Sequence, residues 1–424
     1  MKILLEAPIL TQSGYGEHAR FAFRALQTMK GVDVYVNPLS WGTTSWMSDP
    51  GPERLEIDNC IRKNVIYNQQ CRAADITPNY DLQIHVGIPN EFAKKADYSV
   101  CVTAGIETTK ISPKWIASIY SGIDKIIVPS EHAKFGFENT SHTFQRQDGQ
   151  EISLSCDKPV SVVPYPVKDM ESDPIDLELE YDFNFLSVAM WGVRKNMERM
   201  ISWFVEEFRD EPVGLVLKTN MSRSSTPDRE MCSLAIRKLL EELGERTCKV
   251  YLLHGDLTEN QLHSLYENEK IKAYVTTTHG EGYGLPLFEA AYTGLPIVAT
   301  DWSGHLDFLK GPQKDKKSGK SKIKKLFAKV DYDLKEVPRE AVWQDIIIPE
   351  SKWAYPKEKS FKEQIRKMYS QYGMYRNFAK SLKEHVVKEF EYSKVLDLMA
   401  KELVPEHMKP DQEWAEALSS IEIL

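Results

Sequence analysis

Short apolar runs alternate with segments of helical period along most of this chain. In the first half, strand-like runs occupy residues 2–10, 32–37, 82–86, 98–104, 125–128 and 161–163. In the second half they start at residue 183 and recur at 213–218, 249–254, 272–276 and 296–300. Segments with helical periodicity lie between them, such as Glu17 to Thr28 and Leu257 to Tyr266. This alternation predicts an α/β protein whose parallel sheets are covered by helices on both faces.

One stretch interrupts the alternation and divides the chain. Residues 168–180 are acidic, contain proline and show no period, which is typical of an interdomain linker. A chain of 424 residues is long enough for two hydrophobic cores. We therefore predict one domain over residues 1–167, a second over 181–375 and a helical tail over 376–424.

Composition narrows the class of protein only slightly. Lysine and arginine number 54 against 62 acidic residues, and the formal charge of −8 argues against a protein that mainly binds polyanions. The six cysteines include no C-x-x-C pair, as expected of reduced thiols in a cytosolic protein. The chain starts directly with a strand pattern, and no apolar run reaches the roughly 20 residues needed to cross a bilayer. These features predict a cytoplasmic protein without a transmembrane segment.

The most informative stretch covers residues 277–301. After an apolar strand, three glycines at alternating positions allow the backbone to approach a ligand closely. Pro286 suits the first turn of a helix, and Gly294 marks the end of that helix. The free N–H groups at the helix start favour an anion such as a phosphate. Two carboxylates that can accept hydrogen bonds from sugar hydroxyls lie near this predicted anion site. Glu281 is in the loop, and Glu289 is about one turn inside the helix.

Glu281 and Glu289 form an E-x7-E pattern, joined here to Gly-Tyr-Gly-Leu-Pro at 282–286 and Gly-Leu-Pro at 294–296. This combination resembles the retaining, nucleotide-sugar-dependent glycosyltransferases of the family-four-like group (glycosyl transferases group 1). The resemblance implies the GT-B architecture, in which two Rossmann-like domains face each other across a cleft. It also implies a C-terminal helix that crosses back to the first domain, and transfer with retention of anomeric configuration. The co-substrate would be a nucleoside-diphosphate sugar, with no tightly bound cofactor.

In such relatives the donor mainly occupies the second domain. Glu289 would accept hydrogen bonds from the ribose hydroxyls, and Glu281 from the sugar hydroxyls. His254 follows a strand in a segment that resembles the base-binding part of the family, and a structural role at the strand end stays equally open. The residues expected around the donor are Glu289, Gly282, Tyr283, Gly284, Leu285, Lys218, Gly14, Tyr15, Gly16 and His254.

Arg194 and Lys195 follow the first strand of the second domain, at the sheet edge where open α/β proteins bind ligands. Fixed cations there stabilise the negative charge that develops on a departing diphosphate. Relatives often carry an arginine and a lysine several residues apart for this role, so the adjacent pair leaves open which side chain contacts phosphate. Lys218, at the end of the next strand, is a further candidate. We expect Glu281, Arg194, Lys195 and Glu107 to carry the catalysis.

Four further segments resemble a bacterial and phage-associated subgroup of this superfamily: residues 81–90, 105–115, 128–134 and 163–167. Within them, His85 and Glu107 each follow a predicted strand, so we expect both to face the cleft. Many relatives have a histidine near the donor sugar where this chain has Glu107, whose carboxylate can orient the acceptor hydroxyl or take its proton. For His85, a cleft contact and a satisfied core histidine both stay open.

A second glycine pair supports a competing interpretation. Gly14-x-Gly16-x-x-Ala19 fits a relaxed dinucleotide fingerprint and would indicate a nucleotide-dependent oxidoreductase. Three residues separate the first strand from Gly14, and Asn37 rather than an acid ends the second strand. We therefore favour a glycine loop that covers the donor phosphates, with Glu17 on the acceptor side.

A lysine-rich insert covers residues 310–329, where nine lysines accompany one acid. Such a run is most often a solvated loop. It also suits an anionic membrane surface or nucleic acid. We expect the acceptor to be a glycan, a lipid-linked molecule or another hydroxyl compound, and the enzyme to be cytoplasmic or peripheral at the inner membrane. A DNA-modifying enzyme of phage type and a non-catalytic, polyanion-binding GT-B protein are the alternatives.

The sequence contains little that would bind a metal. It has no H-E-x-x-H motif and no cysteine cluster. Asp331-x-Asp333 resembles a metal-binding pattern of another glycosyltransferase architecture, but it is short and follows the lysine-rich insert. We predict no essential metal.

Overall fold

The structure, a computed structural model, describes residues 1–41, 51–145, 148–314 and 321–409. The first part of the chain contains β1 (Lys2–Ala7), α1 (Gly14–Gln27), β2 (Asp33–Pro38), α2 (Pro52–Ala73), β3 (Tyr80–Val86), β4 (Ala96–Val102), α3 (Pro113–Tyr120), β5 (Lys125–Val128), α4 (Glu131–Glu138), β6 (Ser141–Gln145), β7 (Glu151–Ser155) and β8 (Val160–Val162). Six of these strands form one parallel sheet in the order β2-β1-β3-β4-β5-β8. β6 and β7 form a separate hairpin.

The second part repeats this organisation. It contains β9 (Asn184–Val188), α5 (Met197–Phe208), β10 (Gly214–Lys218), α6 (Thr226–Glu242), β11 (Lys249–Leu253), α7 (Glu259–Tyr266), β12 (Ile271–Val275), α8 (Leu285–Thr293), β13 (Ile297–Thr300), β14 (Lys310–Lys314), β15 (Ser321–Lys325), β16 (Ala328–Val330), β17 (Tyr332–Glu336), β18 (Lys352–Pro356), α9 (Glu358–Ser370), α10 (Tyr372–Glu389) and α11 (Tyr392–Leu403). Its parallel sheet has the order β11-β10-β9-β12-β13-β16. The predicted α/β alternation is confirmed.

Serine caps start several helices of the first part. Ser13, Ser112 and Ser130 each accept a hydrogen bond from a backbone N–H in the first turn of the helix that follows. A side chain of this kind satisfies a donor that has no partner inside the helix. These caps fix where the chain turns from a strand into the next helix.

The chain passes twice between the two sheets, and the passages run side by side. Val167, at the start of the acidic stretch, donates its N–H to the Phe390 carbonyl oxygen at 2.8 Å. Before this point, α10 packs on the second sheet's core through Leu382 and Val386. After it, α11 buries Val395, Met399, Leu403 and Val404 in the core of the first sheet. The C-terminal helix therefore returns to the first domain, as the resemblance implies.

The lysine-rich insert is not a bare loop. Lys310–Lys314 and Ser321–Lys325 pair as an antiparallel hairpin, and Ala328–Val330 is the outermost strand of the second sheet. The sequence analysis expected a solvated loop and missed these strands. The many lysines leave no alternation of apolar and polar residues that would indicate a strand. Residues 315–320 lie outside the described residues. Among the helices that the structure describes, none is long and apolar enough to span a bilayer.

Candidate active site in the interdomain cleft

The glycine loop before α8 touches the first domain. A Cβ at Gly280 would lie 2.5 Å from the Glu107 carbonyl oxygen, and one at Gly282 would lie 2.5 Å from the Ala104 carbonyl oxygen. Real Cβ atoms do not come this close, so only glycine permits the contact. Gly284 caps the helix start with φ of +94°, a left-handed conformation that side chains disfavour. These residues therefore fix α8 beside the opposite domain.

Glu281 lies between two cations. Its Oε2 is 3.0 Å from Arg194 Nη1, and its Oε1 is 2.5 Å from Lys195 Nζ. Arg194 Nη2 also contacts Glu107 Oε1 at 3.2 Å, and Glu107 comes from the first domain. We call Glu107, Arg194, Lys195 and Glu281 the Arg194 cluster. All four predicted catalytic residues therefore lie together across the cleft.

The charges of the Arg194 cluster shift one another's pKa values. Burial alone would raise the pKa of Glu281, but Lys195 and Arg194 outweigh it and lower that pKa to about 2. Burial lowers the pKa of Lys195, and Glu281 only partly opposes this. For Arg194, Glu107 and Glu281 outweigh burial and raise the pKa. At neutral pH, Glu281 is a carboxylate that accepts hydrogen bonds, and Arg194 keeps its charge.

Glu289 lies at a separate end of the cleft. Tyr266 on α7 donates a hydrogen bond from its hydroxyl to Glu289 Oε2 at 2.8 Å. The carboxylate faces a cavity of about 240 Å³ between the start of α1, α7 and α8. Burial raises the pKa of Glu289 to about 7, and the Tyr266 hydrogen bond and Lys168 offset this only in part. This carboxyl group therefore changes charge near neutral pH.

Lys168 joins the two domains at the wall of this cavity. Its Nζ lies 2.9 Å from Glu17 Oε1 on α1 and 3.0 Å from Glu259 Oε2 on α7. Burial alone would raise the pKa of Glu17, but Lys168 and two arginines lower it to about 2. The sequence interpretation missed Lys168 and Tyr266. The one available signal was a basic residue at the start of an otherwise acidic linker.

The predicted glycine loop near Gly14 has a different structure. Gly14, Tyr15 and Gly16 form the first turn of α1, because the Ser13 hydroxyl accepts a hydrogen bond from Gly16 N and starts the helix there. The helix thus begins three residues before the predicted start at Glu17. Gly14 and Glu17 line the Glu289 cavity. The Tyr15 hydroxyl lies 3.0 Å from Thr103 Oγ1, away from that carboxylate.

Lys218 lines a second cavity of about 250 Å³, which Gln12 and Pro286 also border. Burial lowers the pKa of Lys218, and its Nζ donates to the Gly255 carbonyl oxygen at 2.6 Å. Lys218 therefore lies in the same cavity wall as Pro286, near the start of α8, and its contact with a donor stays a prediction.

His254 pairs instead with a buried carboxylate. Its Nε2 lies 2.7 Å from Asp228 Oδ2. Asp228 also accepts hydrogen bonds from the backbone N–H groups of Met221 and Ser222. Although Cys232 brings a third ligand-type atom within 4.8 Å, the hydrogen bonds already occupy both oxygens of the carboxylate. We therefore assign His254 no ligand here, and its donor contact stays a prediction.

His85 lies within β3 rather than beyond its end. The residue is 2% exposed, and its Nε2 lies 3.4 Å from the Ile88 carbonyl oxygen. Burial lowers the pKa of this imidazole. The strand continues to Val86 because the positions on either side of His85 are apolar and pair with β4. The acceptor-side role of His85 stays a prediction, and the ring does not join the Arg194 cluster.

No protein-family model matches the sequence, and no curated protein does. Solved structures match over nearly the whole chain. The sucrose-phosphate synthase of Thermosynechococcus elongatus has 13% identity and a TM-score of 0.58, covering 99% of this chain and 100% of the other. Anabaena HepE, solved in complex with UDP-glucose, has 12% identity and a TM-score of 0.55, with coverage of 99% and 100%. The trehalose-6-phosphate synthase OtsA has 9% identity and a TM-score of 0.53, covering 100% of each chain.

At these identities the likeness concerns the fold. It agrees with the two six-stranded parallel sheets and with the return of α11 to the first domain. The Arg194 cluster and the Glu289 cavity lie between those two domains. This chain therefore has the GT-B fold, and its predicted site residues gather in the interdomain cleft of that fold.

Proposed function

We propose that this protein is a glycosyltransferase that moves a sugar from a nucleoside-diphosphate sugar to an acceptor hydroxyl, with retention of anomeric configuration. The observation that carries the proposal is the pairing of Glu281 with Arg194 and Lys195 at one end of α8, while Glu289 faces a cavity at the same helix. Arg194 and Lys195 provide positive charge for a diphosphate, and Glu289 provides a hydrogen-bond acceptor for ribose hydroxyls. The known folds similar to this one include a sugar-nucleotide-bound protein, HepE with UDP-glucose.

The positions of these residues set the orientation in which the donor binds. The nucleoside lies toward Glu289 and the Lys218 cavity, and the diphosphate lies at the start of α8, where backbone N–H groups lack partners inside the helix. The sugar reaches the Arg194 cluster. Glu281 stays ionised at neutral pH because its pKa is about 2, so it accepts hydrogen bonds from sugar hydroxyls.

The cations of the Arg194 cluster supply the catalysis. When the bond between the sugar's anomeric carbon and the phosphate oxygen breaks, negative charge moves onto the nucleoside diphosphate. Arg194 and Lys195 stabilise this charge more strongly than they stabilise the intact donor. Before the donor arrives, the same cations are held in place by Glu107 and Glu281, so little reorganisation is needed.

The acceptor enters from the first domain. Glu107 reaches the cluster from that side, and its carboxylate orients the acceptor hydroxyl or takes the proton that the hydroxyl loses. The new bond joins this oxygen to the anomeric carbon. No step in this scheme uses a metal ion.

A thermal-shift screen tests the proposal. The purified protein is heated with a panel of nucleoside-diphosphate sugars that includes UDP-glucose, with free nucleoside diphosphates and with nicotinamide cofactors. A true donor at a hundredfold excess over its Kd adds about 2.7 kcal/mol to the stability of the folded state, so its shift should be plain. Arg194→Ala should lose the shift, whereas Arg229→Ala, an exposed arginine on α6, should keep it. Stabilisation by nicotinamide cofactors or polyanions alone would rule out the transferase.

A further inference from the structure

The first domain contains a cavity of about 630 Å³ that lies outside the cleft. It is bounded by one face of β1 and β2, by the second half of α2, and by the segments that precede β3 and β4. These segments lie at the amino ends of the strands, whereas the cleft lies at their carboxyl ends. The cavity shares no lining residue with the two cleft cavities. Its size is within the roughly 300–1,000 Å³ that small-molecule sites occupy.

The sheet face beside this cavity combines an apolar cluster of Leu4, Tyr35, Tyr80 and Ala96 with buried polar side chains. A parallel sheet with helices on both sides is normally apolar on both faces. Here Glu6 on β1 and Gln83 on β3 are 4% and 0% exposed, and both lie on the face opposite the core of Ile3 and Leu5. Glu6 accepts hydrogen bonds from Asn37 at 2.8 Å, Gln83 at 2.6 Å and Lys95 at 2.5 Å. The carboxylate is thereby neutralised, and it presents no free negative charge to a ligand.

Amide side chains from α2 form the wall of the cavity. Asn64 Oδ1 accepts hydrogen bonds from the Tyr80 hydroxyl at 2.7 Å and from Asn68 Nδ2 at 2.9 Å. Asn64 is 7% exposed, and its Nδ2 makes no hydrogen bond with any residue that the structure describes. This Nδ2 is open to the cavity rather than buried, so it is a donor available to a ligand. Amide groups that donate and accept side by side match sugar hydroxyls, which do both.

Two cations stand at the rim. Arg72, near the end of α2, and Lys94, before β4, both line the cavity and are exposed. Neither forms an ion pair with a residue in the described ranges. Because Glu6 is neutralised by its own partners, the cavity has an excess of positive charge. Guanidinium and ammonium groups are the side-chain groups that bind phosphate.

We propose that this cavity is a second binding site, separate from the donor cleft, for a phosphorylated sugar. The phosphate contacts Arg72 and Lys94, and the sugar hydroxyls contact Asn64 and the neighbouring amides. The site does not depend on the glycosyltransferase activity proposed above.

Calorimetric titration of the full chain with hexose phosphates, the matching free hexoses and inorganic phosphate tests this site. We expect at least one hexose phosphate to bind about tenfold or more tightly than both its free hexose and inorganic phosphate, a difference of about 1.4 kcal/mol. Replacing both rim cations (Arg72→Ala with Lys94→Ala) should remove this preference. Arg62→Ala, an exposed arginine on the same helix that does not line the cavity, should leave it unchanged.

Asn64→Asp gives a second, matched variant. The aspartate keeps an oxygen acceptor for Tyr80 and Asn68, but it replaces the unpaired donor with a negative charge, so hexose-phosphate affinity should fall about tenfold or more. Glu281→Gln, in the cleft, should bind the hexose phosphate as the unaltered protein does, even if that variant has lost its donor. Binding that survives the changes at Arg72, Lys94 and Asn64, or that Glu281→Gln abolishes, would overturn the proposal. So would a hexose phosphate panel that gives no binding at millimolar concentration.

Discussion

Glu281 lies in the loop before α8 and Glu289 lies within α8, yet the two side chains have opposite electrostatic environments. Glu281 lies between two cations, which hold its pKa at about 2. Glu289 lies in a cavity whose burial raises its pKa to about 7. One carboxylate is therefore charged at every physiological pH, and the other gains its charge near neutrality. Local environment, more than residue type, sets what each one contributes.

Glu289 should make stability depend on pH. The folded protein holds this proton up to about pH 7, whereas the unfolded chain releases it near its ordinary value of 4.5. The stabilisation linked to the proton is complete below pH 4.5 and falls as pH rises to about 7. We expect Glu289→Gln to gain about 3 kcal/mol relative to the unaltered protein over this window. Urea unfolding at a series of pH values measures it, and a difference that stays constant with pH would refute the assignment.

Glu107 should act on the acceptor rather than on donor binding. We expect Glu107→Gln to lower kcat about a hundredfold, as loss of a general base does, while the KM for the donor changes little. The Glu138→Gln variant, an exposed position on α4, is the control. Steady-state kinetics with a transferred sugar measure both parameters. An unchanged kcat would show that the carboxylate only holds Arg194.

At the scale of elements, the loop of residues 280–284 combines two tasks. It contacts the first domain through its glycines, and it sets where α8 begins. The motif was recognisable because glycines at close approaches and a proline in a first helical turn are local signals. The start of α1 at Gly14 and the hairpin at 310–325 could not be recognised from sequence. The first depends on the hydrogen bond of a serine cap and the second on the pairing of two lysine-rich strands, and residue types alone predict neither.

Gly282→Ala should impair the cleft. Its new methyl group would lie 2.5 Å from the Ala104 carbonyl oxygen, so the loop or the first domain must move. We expect kcat/KM to fall about tenfold or more, since displacements on the order of 1 Å at a reacting centre are costly. Gly373→Ala, which meets no atom within 4 Å, is the matched control. Equal kinetics for the two variants would mean that the contact plays no part in the reaction.

At the scale of the whole molecule, the polypeptide chain passes between the two domains twice, and both passages lie near one point. The two chain passages meet at the hydrogen bond between Val167 and Phe390, and Lys168 follows directly. Its ammonium pairs with Glu17 from one domain and Glu259 from the other, both beside the Glu289 cavity. Lys168 therefore links the point where the chain passes between the domains to the Glu289 cavity.

Lys168→Met should weaken donor binding. The methionine keeps the length of the side chain but removes the cation that Glu17 and Glu259 share, so the ion-pair bridge between the two domains at the cavity is lost. We expect donor affinity to fall about tenfold, or 1.4 kcal/mol. Lys158→Met, which removes a lysine whose one ion pair among the described residues is with its neighbour Asp157 at 3.9 Å, should bind as before. Isothermal titration with the donor compares the two variants. Equal donor affinities would show that Lys168 plays no part in donor binding.

The architecture was accessible from sequence because the alternation of strands and helices is local, and parallel sheets impose it repeatedly. The pattern placed eleven strands and identified Arg194, Lys195 and Glu107 through their positions after strands, whereas Glu281 was identified through the E-x7-E resemblance. Lys168 and Tyr266 escaped prediction since each acts across a domain boundary or from a neighbouring helix. His85 was expected beyond a strand end although the predicted strand at 82–86 already contained it, and in the structure it lies within β3.

Release of nucleoside diphosphate from the donor tests the central claim most directly. The unaltered protein should release it from the sugar nucleotide that stabilises it, and more quickly when an acceptor is added. Glu281→Gln should slow release about a hundredfold or more, since it removes a charged contact that the transition state uses. Glu241→Gln, an exposed glutamate on α6, should retain the full rate. Full-rate release by Glu281→Gln, or none by the unaltered protein with any donor in the panel, would contradict the account.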